Sequence, residues 1–291
     1  MTTQSLVAPL FVVLWATGFI GARLGLPHAE PMTFLAIRFG TVAVLMGLWV
    51  WLSGARMLNA RQWGEQALIG VLVHFLYLGG VFVAIDQGVE AGMSSLVVGL
   101  QPIAMALLAY VLLGERMVNM QWLGMLLGIV GVVVVISRKL AAGIGDPGGM
   151  AFCFAGLAGA ALGTILQKRL SQDTPQRAAF AVQFAAAALA CGAAALVFEE
   201  RVVEWAPPLI VAMTWSIFVL SFGAVTLFYV LIRRGAASNV ASLFFLVPPV
   251  TALMAWGLFG EVMGWPEIAG LALTAVGVLL VNRPDLMRRQ G

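Results

Sequence analysis

The segment PIAMALLAYVLLGE at residues 102–115 returns 146 positions later as PPVTALMAWGLFGE at residues 248–261. Both copies open on proline, keep alanine at Ala106/Ala252 and Ala109/Ala255, and close on a Gly-Glu pair. The likeness continues: Gly124, Leu127, Gly131, Val132 and Val135 recur as Gly270, Leu273, Gly277, Val278 and Val281. Upstream, at an offset of 145, Gly18, Ala36 and Phe39 match Gly163, Ala181 and Phe184, with Arg23 matched by Lys168 and Arg38 by Gln183. The chain therefore reads as two similar halves, residues 1–142 and 149–291. They are joined through Gly143, Gly145, Pro147, Gly148 and Gly149.

Composition sets the solvent. Hydrophobic residues make up 62% of the 291 and charged ones 10%, with a mean hydropathy of +1.00. Soluble domains carry about 25% charge, so this chain lacks the polar surface to cover an aqueous fold. About 20 apolar residues in a helix cross a bilayer. Ten such spans are predicted, over 5–25, 32–53, 65–87, 91–113, 119–137, 149–168, 178–198, 208–232, 236–259 and 265–282. Five spans per half is an odd number, so the second half enters the membrane inverted. The expected fold is an all-α integral membrane protein with ten transmembrane helices in two inverted five-helix repeats.

Charge orients it. With both termini cytoplasmic, the inner connections and ends carry Arg56, Arg61, Arg116, Lys168, Arg169, Arg177, Arg233, Arg234, Arg283, Arg288 and Arg289. The outer ones carry Arg23, Arg138, Lys139 and Arg201. This asymmetry satisfies the positive-inside rule and predicts a multi-pass protein of a bacterial-type inner membrane. The first span lacks a basic leader and matches span six, so it reads as part of the bundle rather than a signal peptide. Basic residues form no stripe, which argues against nucleic acid.

The matched segments carry a family resemblance. The run Trp15-Ala-Thr-Gly18-Phe19, then Pro31 and Leu35-Ala-Ile-Arg38-Phe39, resembles the opening of an EamA-type repeat of the drug/metabolite transporter superfamily. Pro102, the Leu112-Leu113-Gly114-Glu115-Arg116 run and the Gly-rich fifth span do so too. The second copy departs from the first: no Trp matches Trp15, and Gln183 stands for Arg38. The resemblance implies a ten-helix exporter, most like the bacterial exporters of aromatic amino acids. It also implies a cavity lined by spans one, three, four, six, eight and nine, with five and ten as buttresses.

The residues point to the same depth. Pro102 and Pro248 fall near the middles of spans four and nine, where proline removes a backbone hydrogen bond. The freed carbonyls of Val98, Phe244 and Phe245 would need protein or a wet cavity around them, and paired breaks in inverted halves point to a central site. Polar and aromatic candidates cluster nearby: Trp15, His74, Tyr77, Ser95, Gln101, Thr164, Trp215, Asn239 and Ser242. With Pro102 and Pro248 these are the expected substrate-binding residues, against the alternative that Ser, Thr and Asn merely join helices. Arg38 is an intramembrane cation that either meets a substrate carboxylate or holds the bundle; the structural or gating role is favoured. Glu115 and Glu261 are expected to be structural, each facing the N-terminal dipole of the next helix.

Absences bound the chemistry. Asp and Glu are missing from the middle of every span, so no acid is placed for proton coupling; facilitated transport is expected, with His74 the alternative. Two histidines 46 residues apart make no metal site, and no cofactor is expected. Gly143-x-Gly145-x-x-Gly148 has no strand before it and is a chance dinucleotide match. Cys153 and Cys191 read as small packing residues. GxxxG spacings at Gly21–Gly25, Gly124–Gly128 and Gly159–Gly163 read first as helix-packing surfaces, giving a monomer or weak homodimer. The sequence thus predicts an inner-membrane exporter of small amphipathic metabolites, most of all hydrophobic or aromatic amino acids, working by alternating access. A membrane-embedded enzyme or a passive small-solute channel are the rival readings.

Overall fold

Prolines start the helices of this molecule where their missing N–H costs nothing: Pro31, Pro147 and Pro207 all stand in first helical turns. The computed structural model describes residues 4–113, 117–143, 145–224, 227, 244–261 and 264–282. Within them, each predicted span is helical. Span one is Gln4–Gly25, two Pro31–Leu52, five Asn119–Ala141, six Pro147–Leu170, seven Gln176–Phe198 and ten Trp265–Asn282. The others are composite. Span three runs Ala60–Gly70, Val71–Leu78 and Gly79–Asp86, and its middle piece is a π-helix. Span four is Ala91–Val98 and Gln101–Leu113; span eight is Pro207–Thr214 and the π-helical Trp215–Ala224. Span nine is described from a 3₁₀ turn, Phe244–Leu246, into Val247–Phe259. Seven of the described helical runs are long and apolar enough to cross a membrane, and three shorter apolar helices accompany them.

Pairing follows the repeat. Span two packs along span seven, five along ten, and four along nine. The contact of one with eight has its counterpart in six with three, that of one with nine in six with four, and that of two with eight in seven with three. The matched pairs run antiparallel. Met32 and Thr33, at the start of span two, meet Glu199 just past the end of span seven. At the other end of this pair, the Arg177 guanidinium lies 4.6 Å above the Trp49 ring. In the five–ten pair, Gly124 lies against Gly277 and Gly131 against Gly270.

That last seam depends on small residues. A Cβ at Gly124 would sit 2.5 Å from the Gly277 carbonyl oxygen, and one at Gly131 would sit 2.5 Å from that of Gly270. Thr274 stitches the seam, donating to the carbonyls of Gly270 at 2.9 Å and Gly128 at 3.4 Å. Without a hydrophobic drive between helices in lipid, such close backbone approach supplies the association. The opposite face of span five presents Leu123, Leu126, Ile129 and Val133 outward, as a lipid-facing surface should. Gly25, Gly159 and Gly163 likewise press on neighbouring spans.

A one-ended cavity as the candidate functional site

Two interruptions sit at matching places. Span four breaks at Gly99–Leu100, and the span-nine counterpart is the turn Phe244–Leu246. Pro102 and Pro248 each occupy the first turn of the segment that follows. The prolines therefore initiate new helical segments rather than kink continuous ones, which corrects the mid-helix reading; proline's fixed φ suits a first turn. The two breaks also meet each other: a Cβ at Gly99 would lie 2.9 Å from Pro248 Cγ.

Beside them lies a cavity of about 530 Å³. Trp15, Gly18 and Phe19 line it from span one, His74 and Tyr77 from span three, Gln101 and Pro102 from span four, and Thr164 and Gln167 from span six. The π-helical segments face it from both halves, through His74 and Tyr77 on one side and Leu220, Ser221 and Ala224 on the other. Such wide turns cluster at functional sites because they re-aim side chains that a regular helix would turn away. Spans two and seven contribute as well, through Arg38, Phe180, Gln183 and Phe184. That widens the lining beyond the six spans expected. The equivalence of Arg38 and Gln183 in the repeat was the available signal.

Aromatic rings and polar side chains share the walls, and many of the polar groups are tied together. Trp15 packs edge-on against Phe244 with centroids 5.3 Å apart, and His74 stacks on Phe184 at 4.4 Å. Gln101 donates to Thr164 Oγ1 at 2.9 Å. Gln183 donates to Gln66 at 2.6 Å and to Gln167 at 2.9 Å, while Gln66 reaches Ser171 at 3.0 Å. Gln66 was missed in the sequence, where it stood in a polar first turn rather than among apolar neighbours. The cavity reaches the protein surface beside Lys168 and Gln172, at the connection between spans six and seven.

The far end is clasped shut across the halves. Glu199 accepts from the amides of Met32 at 2.6 Å and Thr33 at 2.7 Å and from the Thr33 hydroxyl. Glu30 accepts from the amides of Glu200 and Val202. Glu261 accepts from Ala91 and Gly92 at 3.1 and 3.2 Å. A carboxylate at a helix N-terminus meets unpaired amides and the positive end of the dipole. Glu261 thus serves the start of span four, in the opposite half, and not the helix that follows it; the antiparallel four–nine pairing brings it there. Beside it, Lys139 pairs with Glu90 at 2.8 Å.

Three expected site residues lie away from the cavity. Ser95 is buried and donates to its own helix at the Gly92 carbonyl, 2.7 Å away, so it is a packing residue. Trp215 is 39% exposed and donates to Thr17 at 2.8 Å, because the cavity-facing side of span eight is that of Leu220, Ser221 and Ala224. Pro248 lines a small separate recess with Glu90, Lys139 and Glu261. Asn239, Ser242 and Glu115 lie outside the described residues. Cys153 and Cys191 are buried and free.

Burial raises the Glu261 carboxyl above the ordinary carboxylate range, although the Gly92 and Ala91 amides pull the other way. A raised value means that the folded state holds this proton more tightly than the unfolded one. The stabilisation is full below the unfolded value of about 4.3 and is lost as pH rises through the higher folded value. Taking the protein from pH 7 to pH 5 should therefore raise its thermal midpoint more than it raises that of Glu261→Gln. Parallel pH profiles for the two proteins would exclude this assignment.

Known proteins agree with this architecture. The EamA-like transporter family model matches twice, over residues 4–137 and 147–283. The chain is 26% identical to the uncharacterized transporter YvbV of Bacillus subtilis, over 97% of this chain and 92% of that protein. It is 29% identical to a probable amino-acid metabolite efflux pump of Salmonella typhimurium, covering 94% and 93% of the two chains. A probable terminal-alkyne amino-acid exporter of Streptantibioticus cattleyicolor is also 29% identical, over 97% and 94%. A solved crystal structure shares the fold at a TM-score of 0.66 and 19% identity, over 98% of this chain and 97% of that one. The molecule is a multi-pass membrane transporter of small molecules, not an enzyme. It belongs to the EamA-like transporter family.

Proposed function

We propose that this transporter exports small apolar and aromatic amino-acid-like metabolites across an inner membrane, by alternating access between two inverted five-span repeats, residues 1–142 and 149–291. The observation that carries the reading is the one-ended cavity. It joins aromatic rings to neutral hydrogen-bonding groups and two basic side chains, Arg38 and Lys168, and its closed end is held by contacts between the halves. A chamber that is open at one end and clasped at the other suits a carrier that must exchange the two, whereas a channel needs a continuous path. The antiparallel matching of spans two with seven and five with ten supports the inversion. Basic residues concentrate at the open end, as in Arg56, Arg61, Lys168, Arg169 and Arg177, which supports cytoplasmic termini and an inward-facing mouth. The relatives named for amino-acid export support the substrate class.

Purified protein in proteoliposomes should show saturable counterflow of labelled phenylalanine and methionine and ignore a sugar phosphate, which calls for clustered Lys or Arg. Uptake of the sugar phosphate with no amino-acid counterflow would overturn the substrate class. Non-saturable flux without counterflow would overturn the carrier mechanism.

A further inference from the structure

The cavity holds a cation whose visible partners do not match its charge. Arg38 is 5% exposed, far inside span two. Its Nε and Nη2 donate to Ser221 Oγ at 3.4 and 3.3 Å, both long. Ser221 gives its own proton to the Ser216 carbonyl, so only its oxygen faces the guanidinium. A guanidinium carries five N–H donors. No carboxylate lies within salt-bridge distance of Arg38 among the described residues. An intramembrane charge left so is expensive, and it marks a place where a counter-charge arrives.

His74 stands beside it. The Phe39 ring has the Arg38 guanidinium 5.3 Å from its centroid and the His74 ring at 5.5 Å, so both groups neighbour one aromatic ring. Stacking on Phe184 fixes the imidazole plane. The His74 Nε2 atom is buried and finds no hydrogen-bond partner among the described residues. Arg38 and His74 both line the cavity. A buried guanidinium with one long-range neutral acceptor, beside an imidazole nitrogen with none, is half of an anion site.

The sign of the whole cavity points the same way. Its described lining includes Arg38 and Lys168 and no Asp or Glu. Residues 225–243, which the sequence reading assigns to predicted spans eight and nine and their connection, contain no Asp or Glu either. An ammonium group would find ring faces and carbonyls, but no counter-charge.

We propose that Arg38 and His74 form an anion subsite that takes the substrate's carboxylate, and that the α-ammonium is dispensable. The preferred cargo is an apolar or aromatic monocarboxylate, with the amino acid as one member and the corresponding 2-oxo acid as an equal or better one. The carboxylate takes the guanidinium fork in a charge-assisted contact, and the tail lies along Trp15, Phe19 and Phe244. This rests on the small-metabolite transport reading above and sharpens its substrate class.

The test uses the purified full-length protein, with cavity occupancy read from tryptophan fluorescence and transport from counterflow. Phenylalanine, phenylpyruvate and 2-phenylethylamine share a ring and differ in charge. Phenylpyruvate should bind at least as tightly as phenylalanine, and 2-phenylethylamine at least tenfold more weakly. Arg38→Gln should weaken both carboxylates on the order of a hundredfold and leave the amine unchanged. Arg38→Lys should fall between, because it keeps the charge and loses the fork. Should Arg38→Gln not fold, as judged by gel filtration, the wild-type order of the three ligands and the Arg38→Lys values decide the matter. Equal binding of the amine and phenylalanine, or carboxylate binding that survives Arg38→Gln, overturns the subsite. Binding of none of the three, with uptake of a sugar phosphate instead, overturns the substrate class as well and is a distinct result.

Discussion

Replacing Gly18 with Trp is expected to abolish transport while leaving the protein folded in the membrane. Gly18 lines the cavity on span one, and a Cβ there would meet only Leu220 Cδ1, at an ordinary 3.7 Å. The helix gains from losing a glycine by roughly 0.5 kcal/mol or more, so the backbone has no reason to shift. The indole, however, must occupy the chamber that the substrate would use, between Trp15, Phe19 and Leu220. Counterflow should drop more than about tenfold, since an occluded site leaves no binding-competent state. Gly18→Ala adds one methyl group and should transport nearly as the wild type does. Unimpaired counterflow by Gly18→Trp would mean that this cavity is not the route.

The second large effect is on stability. Gly131→Leu should lower the stability of the detergent-purified protein by about 3 kcal/mol or more, at the upper end of overpacking. Its Cβ alone would be 2.5 Å from the Gly270 carbonyl oxygen and 2.7 Å from the Thr274 nitrogen. Those are backbone atoms of span ten and cannot swing aside, so the helices must separate and lose the Thr274 bonds. Gly47→Leu, on span two where a Cβ meets nothing within 4 Å, is the matched control and should be near neutral. Equal thermal midpoints for the two variants would show that the seam does not hold the bundle.

Much of this was legible in the chain because membrane physics writes in long words. Apolar runs bounded by charge or proline marked the helical spans, and an odd number per half leads to the inversion proposed above. The prolines marked real interruptions, since Pro102 has no N–H to offer the Val98 carbonyl. They could not reveal that the breaks restart helices or that Pro248 turns toward Gly99. Side-chain direction was the weaker part. Ser95 and Trp215 were chosen by depth, and depth does not say which face of a helix a residue occupies. The π-helical turns that aim His74, Tyr77 and Ser221 change the angular spacing that a 3.6-residue reading assumes. Least legible were the clasps. Only the antiparallel pairing of spans two and seven brings Glu199 to the amides of Met32 and Thr33.

The Gly-lined seam between spans five and ten also governs how the molecule can be made. Its two sides are separated in the chain by both the Gly-rich connection and four spans. A ribosome working at about 5–20 residues per second leaves span five in the bilayer on the order of ten seconds before span ten exists to cover its glycines. Spans two and four wait in the same way for seven and nine. The first five spans are therefore an insertion intermediate with their mating faces turned to lipid or to one another. Protein quality control meets the chain in that open form, and a chain truncated after the Gly-rich connection would lack the two–seven, four–nine and five–ten seams.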